Sequence, residues 1–198
     1  MIEVEKKFKA EKNELARLIA GAHFLREDKH TDVYYDTADY ALTKKDIWLR
    51  MRSGKFELKY PIGAMDAVHD MTVYDEIEND VAIAAKLGMP VDVPLKDVLL
   101  SSGYVPFATI TTTRAKYEKN DFHIDVDEAD FGYRILEIEL MVSDKHEVES
   151  ARRRILDFAA KNGVSIPEEQ VRGKVREYIR LNNPQQARIL EKAWGIAI

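Results

Sequence analysis

The sequence predicts an α+β fold in which an antiparallel sheet is decorated by helices. Two observations carry this prediction: short segments that alternate apolar and charged residues recur from residue 2 to residue 142, and the last third of the chain has helical spacing. With 198 residues and 45% apolar content, the chain can bury one sizeable core, and a single domain spanning 1–198 is expected.

The opening segment places Glu3, Glu5 and Lys7 on one strand face and Ile2, Val4 and Phe8 on the other. A short helix follows over Glu11 to Gly21, with Leu15, Leu18 and Ile19 at helical spacing. Strand patterns dominate from Thr31 to Glu78. There Trp48, Arg50 and Arg52 alternate with Ile47, Leu49 and Met51, and Glu57 and Lys59 alternate with Phe56, Leu58 and Tyr60. Turns are marked by Asp39-Tyr-Ala, by Ser53-Gly54 as a hairpin, and by Pro61-Ile-Gly63. Helices are expected over Asp80 to Leu87 and over Pro94 to Ser102. Three strands follow at about Tyr104 to Tyr117, Asp121 to Asp127 and Tyr133 to Val142. Asp144 caps a helix that Gly163 stops, Pro167 opens the next, and Pro184 opens the last.

The recurring charge on one strand parity is the unusual feature. Tyr74, Glu76 and Glu78 share a parity, Arg114 and Lys116 oppose Ala115 and Tyr117, Asp125 and Asp127 oppose Ile124 and Val126, and Glu137 and Glu139 oppose their apolar neighbours. Such a face ordinarily points to water. The alternative is a sheet curled into a barrel, with the charged face lining the inside and helices over the outward apolar face. A large aromatic, Trp48, on the parity of Arg50 and Arg52 favours the enclosed arrangement.

Composition removes several functions. Without cysteine there are no disulfides, thiolate nucleophiles or cysteine zinc sites, and a reducing, cytoplasmic setting is expected. No segment approaches the roughly 20 apolar residues that span a bilayer. The net charge of -5 argues against broad nucleic-acid binding. A small-molecule substrate and a monomeric protein are the expectation.

These residues resemble the CYTH superfamily, the triphosphate tunnel metalloenzymes. The resemblance rests on Glu3-x-Glu5-x-Lys7, Arg50-x-Arg52, Glu57-Leu-Lys59, Asp125 and Glu137-x-Glu139. Within the superfamily, Tyr34-Tyr-Asp-Thr37, Trp48-Leu-Arg-Met-Arg52 and Ile124-Asp-Val-Asp-Glu-Ala-Asp-Phe-Gly-Tyr133 are most similar to thiamine triphosphatases. The resemblance implies a closed eight-stranded antiparallel β-barrel, a triphosphate tunnel with helices packed outside. It also implies a hydrolase that removes the terminal phosphate of thiamine triphosphate. An inorganic or nucleoside triphosphatase, a class IV adenylyl cyclase and a non-catalytic polyphosphate-binding module remain alternatives. Within this length, no additional helical domain of the kind attached to some bacterial relatives is expected.

By the same resemblance, Glu3, Glu5, Asp125, Glu137 and Glu139 hold magnesium, or manganese in its place. Several carboxylates on one cavity repel, at about 6.5 Å by roughly 2.5 kcal/mol per pair with an effective dielectric near 20. A hard cation with oxygen ligands relieves that repulsion. Lys7, Arg50, Arg52, Lys59, Arg114 and Lys174 bind the phosphates, with Arg172 or Arg176 as substitutes for Lys174. Lys59 and Tyr34 are the catalytic candidates, since an ammonium beside Tyr34 would favour the phenolate and allow it to act as a general base. Tyr34 is otherwise an ordinary strand aromatic. Trp48 either stacks on the organic part of the substrate or packs in the core. His123 is assigned a structural or supporting role.

Overall fold

The computed structural model describes residues 2–61, 74–166 and 171–195. Its strands are β1 (Ile2–Phe8), β2 (His23–Asp36), β3 (Trp48–Arg52), β4 (Lys55–Pro61), β5 (Tyr74–Ile77), β6 (Val105–Lys119), β7 (Phe122–Ala129) and β8 (Arg134–Val142). They close into one antiparallel barrel in the order β1-β5-β4-β3-β2-β6-β7-β8. Closure rests on β1, which pairs along its whole length with β8 and meets β5 where Glu3 lies opposite Tyr74. Because side chains alternate, the parity that turns Glu3, Glu5 and Lys7 inward turns Val4 and Phe8 outward, and both of those apolar residues are fully buried.

Helices α1 (Lys12–Ile19), α2 (Asp80–Lys86), α3 (Leu95–Ser101), α4 (Val148–Lys161), α5 (Lys174–Asn182) and α6 (Pro184–Trp194) bury the outer apolar face or cover one end. In α4 the buried residues are Ala151, Ile155, Phe158 and Ala159, a spacing that puts all four on one stripe. That stripe packs on Phe8, Ile124, Ile138 and Leu140, with Phe158 stacked on Phe122 at 4.1 Å. Burial of each large aliphatic side chain here is worth about 1.5–3 kcal/mol. Helices α2 and α3 cover Leu49, Phe56 and Leu58 in a second cluster. In α5 and α6, Ile179, Leu190 and Trp194 pack against Trp48 at one end of the barrel.

The Ser53-Gly54 hairpin forms as expected, with both residues at positive φ, 51° and 80°, as a two-residue turn between right-twisted strands requires. Three boundaries differ from the sequence reading. Strand β2 begins at His23, eight residues before Thr31, because it pairs with β6 out to Glu118 although its first half carries charge on both parities. Asp144 caps a short 3-10 turn, Lys145–Glu147, and α4 starts after it. Of the helix expected from Pro167, α5 begins at Lys174, with Gly173 in extended backbone at its N-cap. The turn residues 62 and 63 and the helix start expected at Pro167 lie outside the described residues. Among the described residues no helix is long and apolar enough to cross a membrane.

Candidate active site

The inward parity of the strands encloses a cavity of about 240 Å³, and the segment from Val171 to Arg176 closes one side of it. Of the residues expected to form the site, all line this cavity except Asp125, which is joined to it through Arg114. The acidic wall comes from three adjacent strands. Glu5 faces Glu139 and Lys7 faces Glu137 across β1 and β8, and Asp125 faces Glu137 across β7 and β8. Two carboxylate triads result, Glu3-Glu5-Glu139 and Asp125-Glu137-Glu139, each with one oxygen per residue within 4.8 Å of the others.

Glu139 belongs to both triads and is the most perturbed group of the wall. Burial, then the charges of Glu3, Asp125, Glu137 and Glu5, push its pKa up to about 9. Glu137 moves the other way: burial opposes ionisation, but Lys174, Lys7 and Arg114 outweigh it and hold the carboxylate well below its usual range. Glu5 is likewise held low against burial by Lys59 and Lys7. Oxygen-only donors that repel one another, strongly enough to hold Glu139 protonated, fit a hard divalent ion.

The basic side is held by counter-carboxylates that the sequence reading did not assign. Asp32 is fully buried and receives Nε and Nη2 of Arg52 at 2.6 and 2.8 Å, with Arg50 Nη1 at 3.9 Å. Arg50 also pairs with Glu57 at 2.5 Å. Asp127, also fully buried, receives Nε and Nη2 of Arg114, both at 2.6 Å, and pairs with Lys174. Arg114 further reaches Asp125 at 2.5 Å and Glu137 at 2.8 Å, so it joins the basic and acidic walls. Lys116, another addition, sits 3.0 Å from Asp125. Asp127 already stood on the charged parity with Asp125 without an assigned role, and Asp32, on the parity of Tyr34, could have been found by extending the alternation.

Lys59 lies 3.2 Å from Glu76, 3.7 Å from Glu5 and 3.8 Å from Glu3, and Lys7 contacts Glu5. At Tyr34, burial raises the pKa of the phenol, which favours the neutral form, and the cation that acts most strongly against this is Arg50. Of the cations near α5, Lys174 takes the inward position and Arg176 also lines the cavity, while the Arg172 carbonyl accepts the Tyr133 hydroxyl at 2.7 Å. His123 faces Glu139 across β7 and β8 without lining the cavity.

Trp48 joins the two readings offered for it. It lines the cavity, yet it is only 7% exposed, donates Nε1–H to Asp46 at 2.9 Å and stands edge-on to Trp194 at 6.0 Å. The Asp-Phe-Gly-Tyr run, part of the stretch similar to thiamine triphosphatases, forms the β7–β8 turn outside the cavity. There Phe131 contacts Tyr178 of α5 at 5.6 Å, so the run supports the helix that carries Lys174.

A family model described as the CYTH domain matches residues 1–172. The chain belongs to the CYTH domain family. The thiamine-triphosphatase of Homo sapiens is 30% identical over 96% of this chain and 90% of its own length. Among solved structures, a Pyrococcus horikoshii protein superposes with a TM-score of 0.66 at 24% identity, covering 91% of this chain and 99% of that one. A Hippeastrum protein with a dominant triphosphatase activity superposes with a TM-score of 0.56 at 18% identity, covering 91% and 95%. At these identities the structures support the CYTH fold alone.

Proposed function

We propose that this CYTH protein is a metal-dependent triphosphatase that removes the terminal phosphate of thiamine triphosphate, giving thiamine diphosphate and phosphate. The observation that carries the reading is the opposition, across one cavity, of two carboxylate triads sharing Glu139 and a wall of Arg50, Arg52, Arg114, Lys59 and Lys174. Similarity to the human thiamine-triphosphatase supports the choice of substrate.

Phosphoryl transfer asks mainly for positioning and neutralisation of charge. Arg50 and Arg52, fixed by Asp32 and Glu57, present their remaining N–H groups in fixed directions, which suits bidentate contact with phosphate oxygens. Lys7, Lys59 and Lys174 act as point charges on the same anion. Magnesium, held by Glu139 with the carboxylates of either triad, would supply Lewis acidity and charge neutralisation. Tyr34, held as a phenol, donates a hydrogen bond rather than accepting a proton.

Phosphate release from thiamine triphosphate, inorganic triphosphate and ATP, each with magnesium and with chelator, tests the reading. Preference for thiamine triphosphate with loss of activity on chelation is expected. Equal rates on inorganic triphosphate would reduce it to a general triphosphatase, and tight binding without phosphate release would make the protein a polyphosphate binder.

A further inference from the structure

Asp46 is outside the set of residues assigned to the phosphates or the metal, yet it is 5% exposed and sits between two residues that line the cavity. Its Oδ1 accepts the Trp48 Nε1–H at 2.9 Å and its Oδ2 accepts the Tyr74 hydroxyl at 2.7 Å. Those donors come from β3 and β5, strands separated in the barrel by β4. One carboxylate therefore ties together two rings that the sheet alone would leave independent.

The residue is held there at a cost. Asp46 adopts φ 58° and ψ 30°, a left-handed conformation uncommon outside glycine, and strain of this kind persists only where the surroundings fix it. The fixing parts are visible. Asp46 N–H bonds the Thr43 carbonyl at 3.0 Å, while the Asp36 carboxylate accepts from Leu42 N, Thr43 N and Thr43 Oγ1 at 3.0, 2.8 and 2.7 Å. Trp194 Nε1 donates to the Thr43 carbonyl at 3.1 Å, which anchors the same turn to α6. The Asp of the Tyr34-Tyr-Asp-Thr37 run thus acts at a distance. It builds the turn that presents Asp46.

We propose that Asp46 is a positioning residue for substrate selection, locking Trp48 and Tyr74 into one rigid wall against which the planar organic group of a triphosphate ester is held. The proposal rests on the triphosphate reading of the cavity. Trp48 lies two residues before Arg50 on the same face of β3, about 6–7 Å along the strand, so an organic group on this wall continues the line of a phosphate held by Arg50. A ring free to rotate would contribute less to such a contact, because ordering it on binding costs free energy that a preorganised ring does not.

The test uses Asp46→Asn, which keeps the shape but leaves one carbonyl acceptor for two donors, and Asp46→Ala, which leaves none. Calorimetry with magnesium measures binding of thiamine diphosphate and of pyrophosphate, and kcat/KM is measured for thiamine triphosphate and inorganic triphosphate. The wild-type protein should bind the organic ligand more tightly, and Asp46→Asn should cut that preference by at least about fivefold, the low end of what ring stacking supplies, with Asp46→Ala cutting it further. If both variants melt early, Tyr74→Phe deletes only the hydroxyl that Asp46 accepts and should shift the preference in the same direction. An unchanged preference in a folded variant, or no preference in the wild-type protein, would overturn the assignment. Wild-type protein that prefers the organic ligand but releases no phosphate would instead defeat the hydrolase reading and leave Asp46 in its role.

Discussion

Glu5 and Glu139 stand directly opposite one another across β1 and β8, with one carboxylate oxygen of each within 4.8 Å of the other and of Glu3. The pairing gives them different fates. Lys59 and Lys7 hold Glu5 ionised, whereas Glu139 keeps its proton up to about pH 9 because burial and four surrounding carboxylates act on it together.

The first prediction follows from linkage. Glu139 titrates near 4.5 when unfolded and near 9 when folded, so the folded state binds the proton more tightly between those values. Its stabilising contribution is complete below pH 4.5 and is lost as pH rises toward 9. Metal-free protein should therefore melt at progressively lower temperature from pH 7 to pH 9; below that range His30, whose pKa burial lowers to about 4, acts in the opposite direction. Glu139→Gln should flatten that slope and raise Tm at pH 8 by a few degrees, since about 1 kcal/mol corresponds to roughly 2–4 °C in a chain of this size. It should also lose magnesium-dependent turnover. Melting curves that keep the wild-type slope would remove Glu139 as its source.

Asp127 makes an opposite prediction. It holds Arg114 through two parallel bonds and also pairs with Lys174, all with a fully buried carboxylate. Removing one partner from a buried charge network costs about 3–5 kcal/mol, because the remaining charges lose their compensation. Asp127→Asn should destabilise the free protein on that order, and tripolyphosphate should raise its Tm more than it raises that of the wild type. Equal ligand-induced shifts would show that Arg114 is sufficiently compensated by Asp125 and Glu137.

For Trp48 the packing and selection roles predict separate readouts. The ring is buried in one cluster with Ile179, Ala187, Leu190 and Trp194, so Trp48→Ala should cost about 3–5 kcal/mol of stability from the cavity it leaves. On the fraction that remains folded, the ratio of kcat/KM for thiamine triphosphate over inorganic triphosphate should fall by about five- to a hundredfold. Equal losses on both substrates would leave Trp48 a packing residue alone.

How much was legible in the sequence depends on the range of the interaction. Alternation is a two-residue property, and it put Glu3, Glu5, Arg50, Arg52, Lys59, Glu137 and Glu139 on the charged parity of their strands, the parity that lines the cavity. Which strand neighbours which is not a local property: β1 closes on β8 through pairs such as Phe8 with Leu136, more than a hundred residues apart, and only the family resemblance supplied that closure. The start of β2 escaped because Arg26, Glu27, Asp28 and Lys29 occupy both parities of an exposed extension, where β6 provides pairing without an apolar face. Asp46 escaped for another reason. It lies in a turn, where no period exists, and its role depends on Tyr74 from a distant strand.

The last prediction concerns the base. Tyr34 is buried beside Arg50, and burial shifts the phenol toward the neutral form more than Arg50 and Arg52 draw it back, so near-neutral pH leaves it protonated. A base that ionises above its ordinary pKa of 10 would give a rate that climbs with pH throughout the range from 6 to 9. A hydrogen-bond donor to phosphate, in contrast, contributes a constant factor over that range. Tyr34→Phe should thus lower kcat/KM by about tenfold, as loss of a hydrogen bond to a charged group worth roughly 1.5 kcal/mol would do. The shape of the pH profile should remain that of the wild type. If the variant instead loses a rising limb that the wild type displays, Tyr34 is the base and its phenolate is reached in the substrate complex despite its burial. Lys59→Ala on the same pH series separates the candidates further: its charge neutralises Glu3, Glu5 and Glu76, so its removal should weaken triphosphate binding and raise KM at every pH.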